Sequence, residues 1–232
     1  MNLIHRTWHA SLGKKYIMAL SGAALFAFVI GHLLGNLQIF LGPEALNRYG
    51  HFLQTTPELI WPARIGLLVM AGLHIAAAIT LTKQNRAARP IGYGDYDVVA
   101  ASYASRTMFM SGLIVLVFII YHLLHFTVQT PGVNFTGQDF RTMHDELGRH
   151  DIYRMMILGY KRPLVSLFYV IGVGLLCLHL SHGVSSMFQS MGWKNKAYGG
   201  FLDKFAIVAA VLIFVGYISI PVAVLLGVFD KK

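Results

Sequence analysis

Apolar and polar positions along this chain separate into long blocks. Five apolar runs, residues 16–40, 63–82, 107–130, 164–188 and 204–228, alternate with stretches that hold most of the charges and prolines. Each run is close to the roughly 20 residues a helix needs to cross about 30 Å of hydrocarbon. The pattern therefore predicts an all-α membrane protein, a bundle of five transmembrane helices forming a single domain over 1–232. An odd number of spans puts the two termini on opposite sides. The one long connection, 131–163, is bracketed by Pro131 and Pro163 and is too long for a mere link. Its charges alternate with Met143, Leu147, Ile152 and Met155, which predicts a short helix lying on the outer membrane surface. No internal repeat and no low-complexity segment interrupts this layout.

Composition supports the same class. The 232 residues are 56% hydrophobic and only 12% charged, where soluble domains carry about a quarter charged residues; the mean hydropathy is +0.58. A net charge of +9 would fit nucleic acid, but the bases fall between the apolar runs, where membrane topology places them. The single cysteine, Cys177, lies inside a span. It excludes an internal disulfide, a CxxCH haem attachment and a four-cysteine iron–sulfur cluster. The opening "MNLIHRTWHASLGKK" lacks a convincing cleavage site and precedes a span too long for a signal-peptide core, so the first span is expected to be retained.

Orientation rests on where the bases lie. Arg6, Lys14, Lys15, Lys83, Arg86, Arg89, Arg106, Lys194, Lys196 and Lys204 share one side. The other side has Arg48, Arg64, Arg141, Arg149, Arg154, Lys161, Arg162, Lys231 and Lys232. The totals are nearly even, but five of the second set sit in the long 131–163 loop, where charges far from a span end count less. Lys14 and Lys15, beside the first helix, decide for a cytoplasmic N-terminus.

Eleven histidines remain to be explained. His5, His9, His51, His144 and His150 fall in the terminal segment or loops, where solvated side chains are expected. His32, His74, His122, His125, His179 and His182 fall inside four of the five spans, and intramembrane ionisable residues mark function. At 1.5 Å per residue, His32 and His122 lie roughly 24 and 22 Å from the cytoplasmic ends of their helices, and His74 and His179 roughly 12 and 13 Å. Two pairs at two depths, each from two helices, suit two flat cofactors that each take a ligand on both faces. Protohaem takes two axial imidazoles, and its apolar ring suits a bundle interior. Zinc needs three or four ligands in a compact tetrahedral set.

His125 and His182 each follow a candidate by three residues, and spacing alone does not choose between the members of each couple; hydrogen bonding is the expected role of both followers. Gly31, Gly35, Gly66, Gly72, Gly172 and Gly174 either admit a macrocycle close to the backbone or serve ordinary helix packing. A di-iron centre built from "HLLH" and "HLSH" boxes is a rival, but those boxes lie at opposite depths and no acid lies within the runs to bridge two irons. A haem-free anchor that uses its histidines for packing is the other.

The stretch "GKKYIMALSGAALFAFVIGHLLGNLQIFLGPEALNRYGHFLQ" resembles the opening of the cytochrome b subunit of succinate dehydrogenases and fumarate reductases, in the five-helix, two-haem branch. "IVLVFIIYHLLHFTV", "GVNF", "MHD" and "FYVIGVGLLCLHLSHGVSSMFQSMG" resemble later parts of the same subunit, in order. A hydrogenase-type cytochrome b subunit fits these motifs less well. The resemblance implies two haem b groups, His32 with His122 holding the outer, distal one and His74 with His179 the inner, proximal one. It implies an electron-transfer role within a succinate dehydrogenase (quinone) complex of the bacterial cytoplasmic membrane, or the reverse, quinol-oxidising role in a fumarate reductase. A flavoprotein subunit and an iron–sulfur subunit would dock on the cytoplasmic face and carry the dicarboxylate chemistry, and quinone, menaquinone in particular, would be the membrane-side substrate. The docking surface would be the N-terminal segment with the 83–106 and 189–203 connections. In one place the sequence departs from the family: relatives often carry a glutamate after the first helix, near an outer quinone site, and the matching position is Gln54. A glutamine can bond a quinone oxygen but cannot exchange a proton. Either Glu58 substitutes from nearby, or the outer site works differently.

Overall fold

A computed structural model describes residues 10–88 and 103–230, with the side chains of 103–106 excepted. The expected docking residues Arg6 and Arg89, the side chain of Arg106, His5, His9, Lys231 and Lys232 lie outside this description. Among the described residues there is no strand, only an isolated antiparallel bridge between His144 and His150.

Among the described residues seven α-helices follow one another: α1 (Ser11–Asn36), α2 (Pro43–Thr55), α3 (Pro57–Ala87), α4 (Tyr103–His122), α5 (Ile152–Tyr160), α6 (Pro163–Ser190) and α7 (Gly199–Leu225). Five of them, α1, α3, α4, α6 and α7, are long and apolar enough to cross a membrane, the first with its 3-10 extension Leu37–Leu41 and the third with a π turn, Leu123–Thr127. The boundaries follow local chemistry. Pro43, Pro57 and Pro163 open α2, α3 and α6 at a position where no N–H is needed. Gly42, at φ +102°, makes the turn from α1 into α2, a conformation open to a residue without Cβ. Asp151 caps α5 by accepting from Arg154 N at 3.0 Å.

The helices run past the apolar blocks that announced them. The block 63–82 is the middle of α3, whose last turns carry Lys83 and Arg86 on stems long enough to reach polar surroundings. Consequently Glu58 lies in the first turn of α3, and Asp203 lies near the start of α7.

Packing arranges four of the helices as the corners of a square. α3 packs on α1, α1 on α6, and α6 on α4, while among the described residues the fourth edge, between α3 and α4, is the loosest and is bridged by Arg86 over the Phe109 ring, 5.9 Å from its centre. α7 lies outside this set against α6. The buried core gathers where Leu33 and Ile39 meet Tyr153, Met156 and Val224, at the end of the bundle that carries α2 and α5, here the loop end.

The long connection differs from its expected form. Its helix begins at Ile152 and buries Tyr153, Met155, Met156 and Tyr160 against the bundle instead of lying on a membrane surface, and Leu147 is exposed and outside it. Met143 and Met155 bury Phe140 in a small second core. His150, expected in solvent, is half-buried: its Nδ1–H donates to Met143 O at 2.9 Å, and Gln129 Nε2 donates to its Nε2 at 2.8 Å.

Candidate functional site

The four spans of the square each bring one histidine inward from its diagonal. His32 of α1 and His122 of α4 face each other with ring centres 5.7 Å apart and planes at 82°. His74 of α3 and His179 of α6 do the same at 6.3 Å and 65°. The first pair lies toward the loop end and the second toward the opposite end, so the four sequence-derived residues meet as two couples on the two diagonals. Two imidazoles on opposite sides of one metal, each nitrogen about 2 Å from it, have ring centres about 6 Å apart. Both spacings fit that arrangement.

Hydrogen bonds fix the protons of the second couple. His74 Nδ1 lies 3.2 Å from Met18 O, and a carbonyl can only accept, so this nitrogen carries the proton. Ser21 Oγ donates its own proton to Ile17 O at 2.7 Å and shares the His74 N–H at 3.2 Å. Across the bundle Ser111 Oγ donates to Met108 O at 3.1 Å and accepts from His179 Nδ1 at 3.3 Å. Each ring is thus held at Nδ1 with its Nε2 lone pair left bare, the form in which imidazole binds a metal. The residues after these serines are Gly22 and Gly112, and a Cβ there would stand 3.2 Å from His74 Cε1 and 3.4 Å from His179 Cε1. Two Ser-Gly steps, one on α1 and one on α4, therefore seat the two rings. Sequence reasoning missed both, because a serine in an apolar helix ordinarily bonds its own turn.

The loop-end couple is held differently. His122 Nδ1 lies 3.4 Å from Tyr169 Oη, which also contacts His125 Nδ1 at 3.0 Å. His32 stacks on Phe28, with ring centres 5.3 Å apart, and lies beside Tyr217, whose hydroxyl donates to Val29 O at 2.8 Å. His125 is fully buried with its Nδ1 on Tyr169 Oη, and His182 bonds Ser186 Oγ at 3.0 Å.

The glycines named from sequence divide. A Cβ at Gly31, Gly66 or Gly72 would meet nothing within 4 Å, so these positions leave space. Gly35 and Gly172 instead receive the rings of Tyr49 and Phe118, and Gly174 is in ordinary contact with Phe214, which is helix packing. Gln54, near the end of α2, and Glu58, at the start of α3, are four residues apart and both exposed at the loop end. No family model, curated protein or solved structure matches this chain.

Proposed function

We propose that this chain is the dihaem cytochrome b membrane subunit of a succinate:quinone oxidoreductase. His32 and His122 hold one haem b, and His74 and His179 hold the other. The observation that carries this reading is the pair of imidazole couples at two levels, with ring centres 5.7 and 6.3 Å apart and His74 held at Nδ1 by a carbonyl, which would leave its Nε2 free for a metal. Haem b, when bound, supplies a one-electron carrier at each level.

The chain's own residues do the rest. The four imidazoles orient the planes, Ser21, Ser111 and Met18 O hold two of them by the N–H, and the apolar walls keep water from the ring edges. A chain with one cysteine holds no iron–sulfur cluster, so an iron–sulfur subunit must deliver electrons and a flavoprotein subunit must oxidise the dicarboxylate. Quinone, menaquinone by the sequence resemblance, is the electron acceptor. Gln54 and Glu58 are its candidate contacts at the loop end, the first as a hydrogen-bond partner and the second as a proton carrier.

A reduced-minus-oxidised visible spectrum of the purified chain, with haem counted as the pyridine haemochrome, tests this. Two b-type haems per chain are expected. A preparation that folds without haem would show a plain membrane anchor and refute the reading.

A further inference from the structure

One hydroxyl controls the polar surroundings of the loop-end couple. Tyr169 of α6 is buried, with its Oη 3.0 Å from His125 Nδ1 and 3.4 Å from His122 Nδ1. Both rings reach it because α4 gives way to the π turn immediately after His122, where Val128 N donates to Leu123 O, five residues back. Such turns are concentrated at functional sites. His125 Nε2 is buried without a partner and rests against Gly159, where a Cβ would stand 3.1 Å from it.

A phenol has one proton and can donate once. The two contacts therefore have two orders in which the phenol both accepts and donates. In the first, His125 Nδ1–H donates to Tyr169 Oη and the phenol donates to His122 Nδ1. That puts the His122 proton on Nε2 and removes the lone pair a metal needs. In the second, His122 Nδ1–H donates to Oη and the phenol donates to His125 Nδ1. His122 Nε2 is then bare, and the chain ends in an Nε2–H on His125 that has no acceptor among the described residues. If both rings donated, two buried groups, the phenol proton and the His125 Nε2 lone pair, would lack a partner among the described residues instead of one.

We propose that Tyr169 is a positioning residue for His122 and that ligation through His122 Nε2 selects the second order, with His125 as the terminal acceptor. The inference rests on the dihaem reading. It gives His125 a task that ligation does not: accepting the phenol proton polarises Oη and strengthens its hold on the His122 N–H. It also separates the two couples, since Ser21 and Ser111 serve one and a tyrosine relay serves the other.

The test uses the complete complex in membranes. Tyr169→Phe keeps the ring that packs on Phe118 and Tyr160 and removes only the hydroxyl. Loss of the bond to a ligating imidazole weakens it as a donor to the metal, so the loop-end haem should dissociate roughly tenfold to a hundredfold faster. Its midpoint potential should rise, while the other haem keeps its spectrum and potential and reports correct folding. His125→Leu should shift the same potential in the same direction but less, and should add nothing in the Tyr169→Phe background. His125→Gln, whose carbonyl oxygen can accept the phenol proton, should restore the wild-type potential. An unshifted loop-end potential in Tyr169→Phe with both haems retained overturns the proposal, as do additive shifts in the double variant. If Tyr169→Phe loses both haems, the Leu and Gln variants at 125 decide: equal potentials in the two overturn it. Absence of the loop-end signal from the wild-type chain refutes the haem reading itself.

Discussion

A neutral imidazole carries its proton on one nitrogen, and at His74 the Met18 carbonyl determines which. The neighbouring hydroxyls therefore have unequal weight. Ser111→Ala removes the one hydrogen bond described for the His179 ring, whereas Ser21→Ala leaves His74 bonded to Met18 O. The expected outcome is a roughly tenfold to hundredfold loss of haem affinity at this couple in Ser111→Ala, and a smaller loss in Ser21→Ala. Haem transfer to an excess of apo-acceptor protein measures both. On the ligands themselves, His32→Ala or His122→Ala should remove one b-type signal and His74→Ala or His179→Ala the other, with both kept in His125→Ala and His182→Ala. Loss of a haem from His125→Ala with its retention in His122→Ala would reverse the assignment. The helical rise alone was enough to place His32 level with His122 and His74 level with His179. It could not reveal Tyr169 or the two serines, because which side chain meets a ring depends on how α6 and α4 rotate about their axes. The π turn was equally invisible: "HLLHF" reads as ordinary α-helix, with no proline or glycine to mark a departure.

Between elements, the loop end is clamped by one amide. Asn47 of α2 is buried; its Nδ2 donates to Asp151 Oδ1 at 3.1 Å and to Asp145 Oδ2 at 3.3 Å, while its Oδ1 accepts from Tyr153 N at 2.9 Å. Arg149 shares Asp145, at 2.8 Å, and adds Glu44, at 2.6 Å. Asn47→Leu would leave the Tyr153 N–H and two carboxylates short of a partner, a cost of about 1–3 kcal/mol. It should appear as faster proteolysis within 139–151 and a lower melting temperature in detergent. Acid should loosen the same clamp. Hydrogen bonds from Arg149 hold the Glu44 carboxyl below its ordinary value; burial raises Asp145, and the Arg149 bonds more than offset it. Carboxyls depressed on folding contribute stability that is fully present above their unfolded values of about 4 and lost as pH falls through the folded ones. Protection of the loop amides, measured relative to their intrinsic exchange at each pH, should therefore be unchanged from neutral pH down to about 5 and fall below about 4. An equal fall in Glu44→Gln, which lacks one of these carboxyls, would count against that ion pair as the cause. The existence of a helix in this connection was legible from its alternating charges, but its partner was not. Met155 read as part of an apolar stripe with Met143, Leu147 and Ile152; Met143 and Met155 are buried by protein, and Asn47 of α2 holds the start of α5.

For the molecule as a whole, the even split of bases between the two sides left orientation resting on Lys14 and Lys15, and the structure changes what those charges do. Lys14 is buried within the first turn of α1 and acts as part of the fold. At the loop end, Arg141 pairs with Asp139, Arg149 with Glu44 and Asp145, and Lys161 with Asp230. At the opposite end Lys194 pairs with Asp203, while among the described residues no acid pairs with Lys83, Arg86, Lys196 or Lys204. Among the described side chains that end carries seven bases to one acid, Asp203, whereas the loop end carries seven bases and seven acids, so the positive excess lies at the opposite end. Positive charge of this kind both retains a segment in the cytoplasm and steers an acidic partner subunit toward it. It is also the end nearer the His74–His179 couple, so an electron delivered there has the shorter way in. The prediction is that the connection between α6 and α7 faces the cytoplasm and the 131–163 connection faces outward. Cysteines placed at the exposed positions Leu147 and Lys196 test it, since the native Cys177 is buried and serves as the background. In intact cells a membrane-impermeant maleimide should label Leu147→Cys and spare Lys196→Cys, and lysis should open the second site. In assembled complex, Lys196→Cys should become protected by the iron–sulfur subunit while Leu147→Cys stays reactive. Labelling of Lys196→Cys in intact cells would invert the orientation and move the docking surface to the loop end.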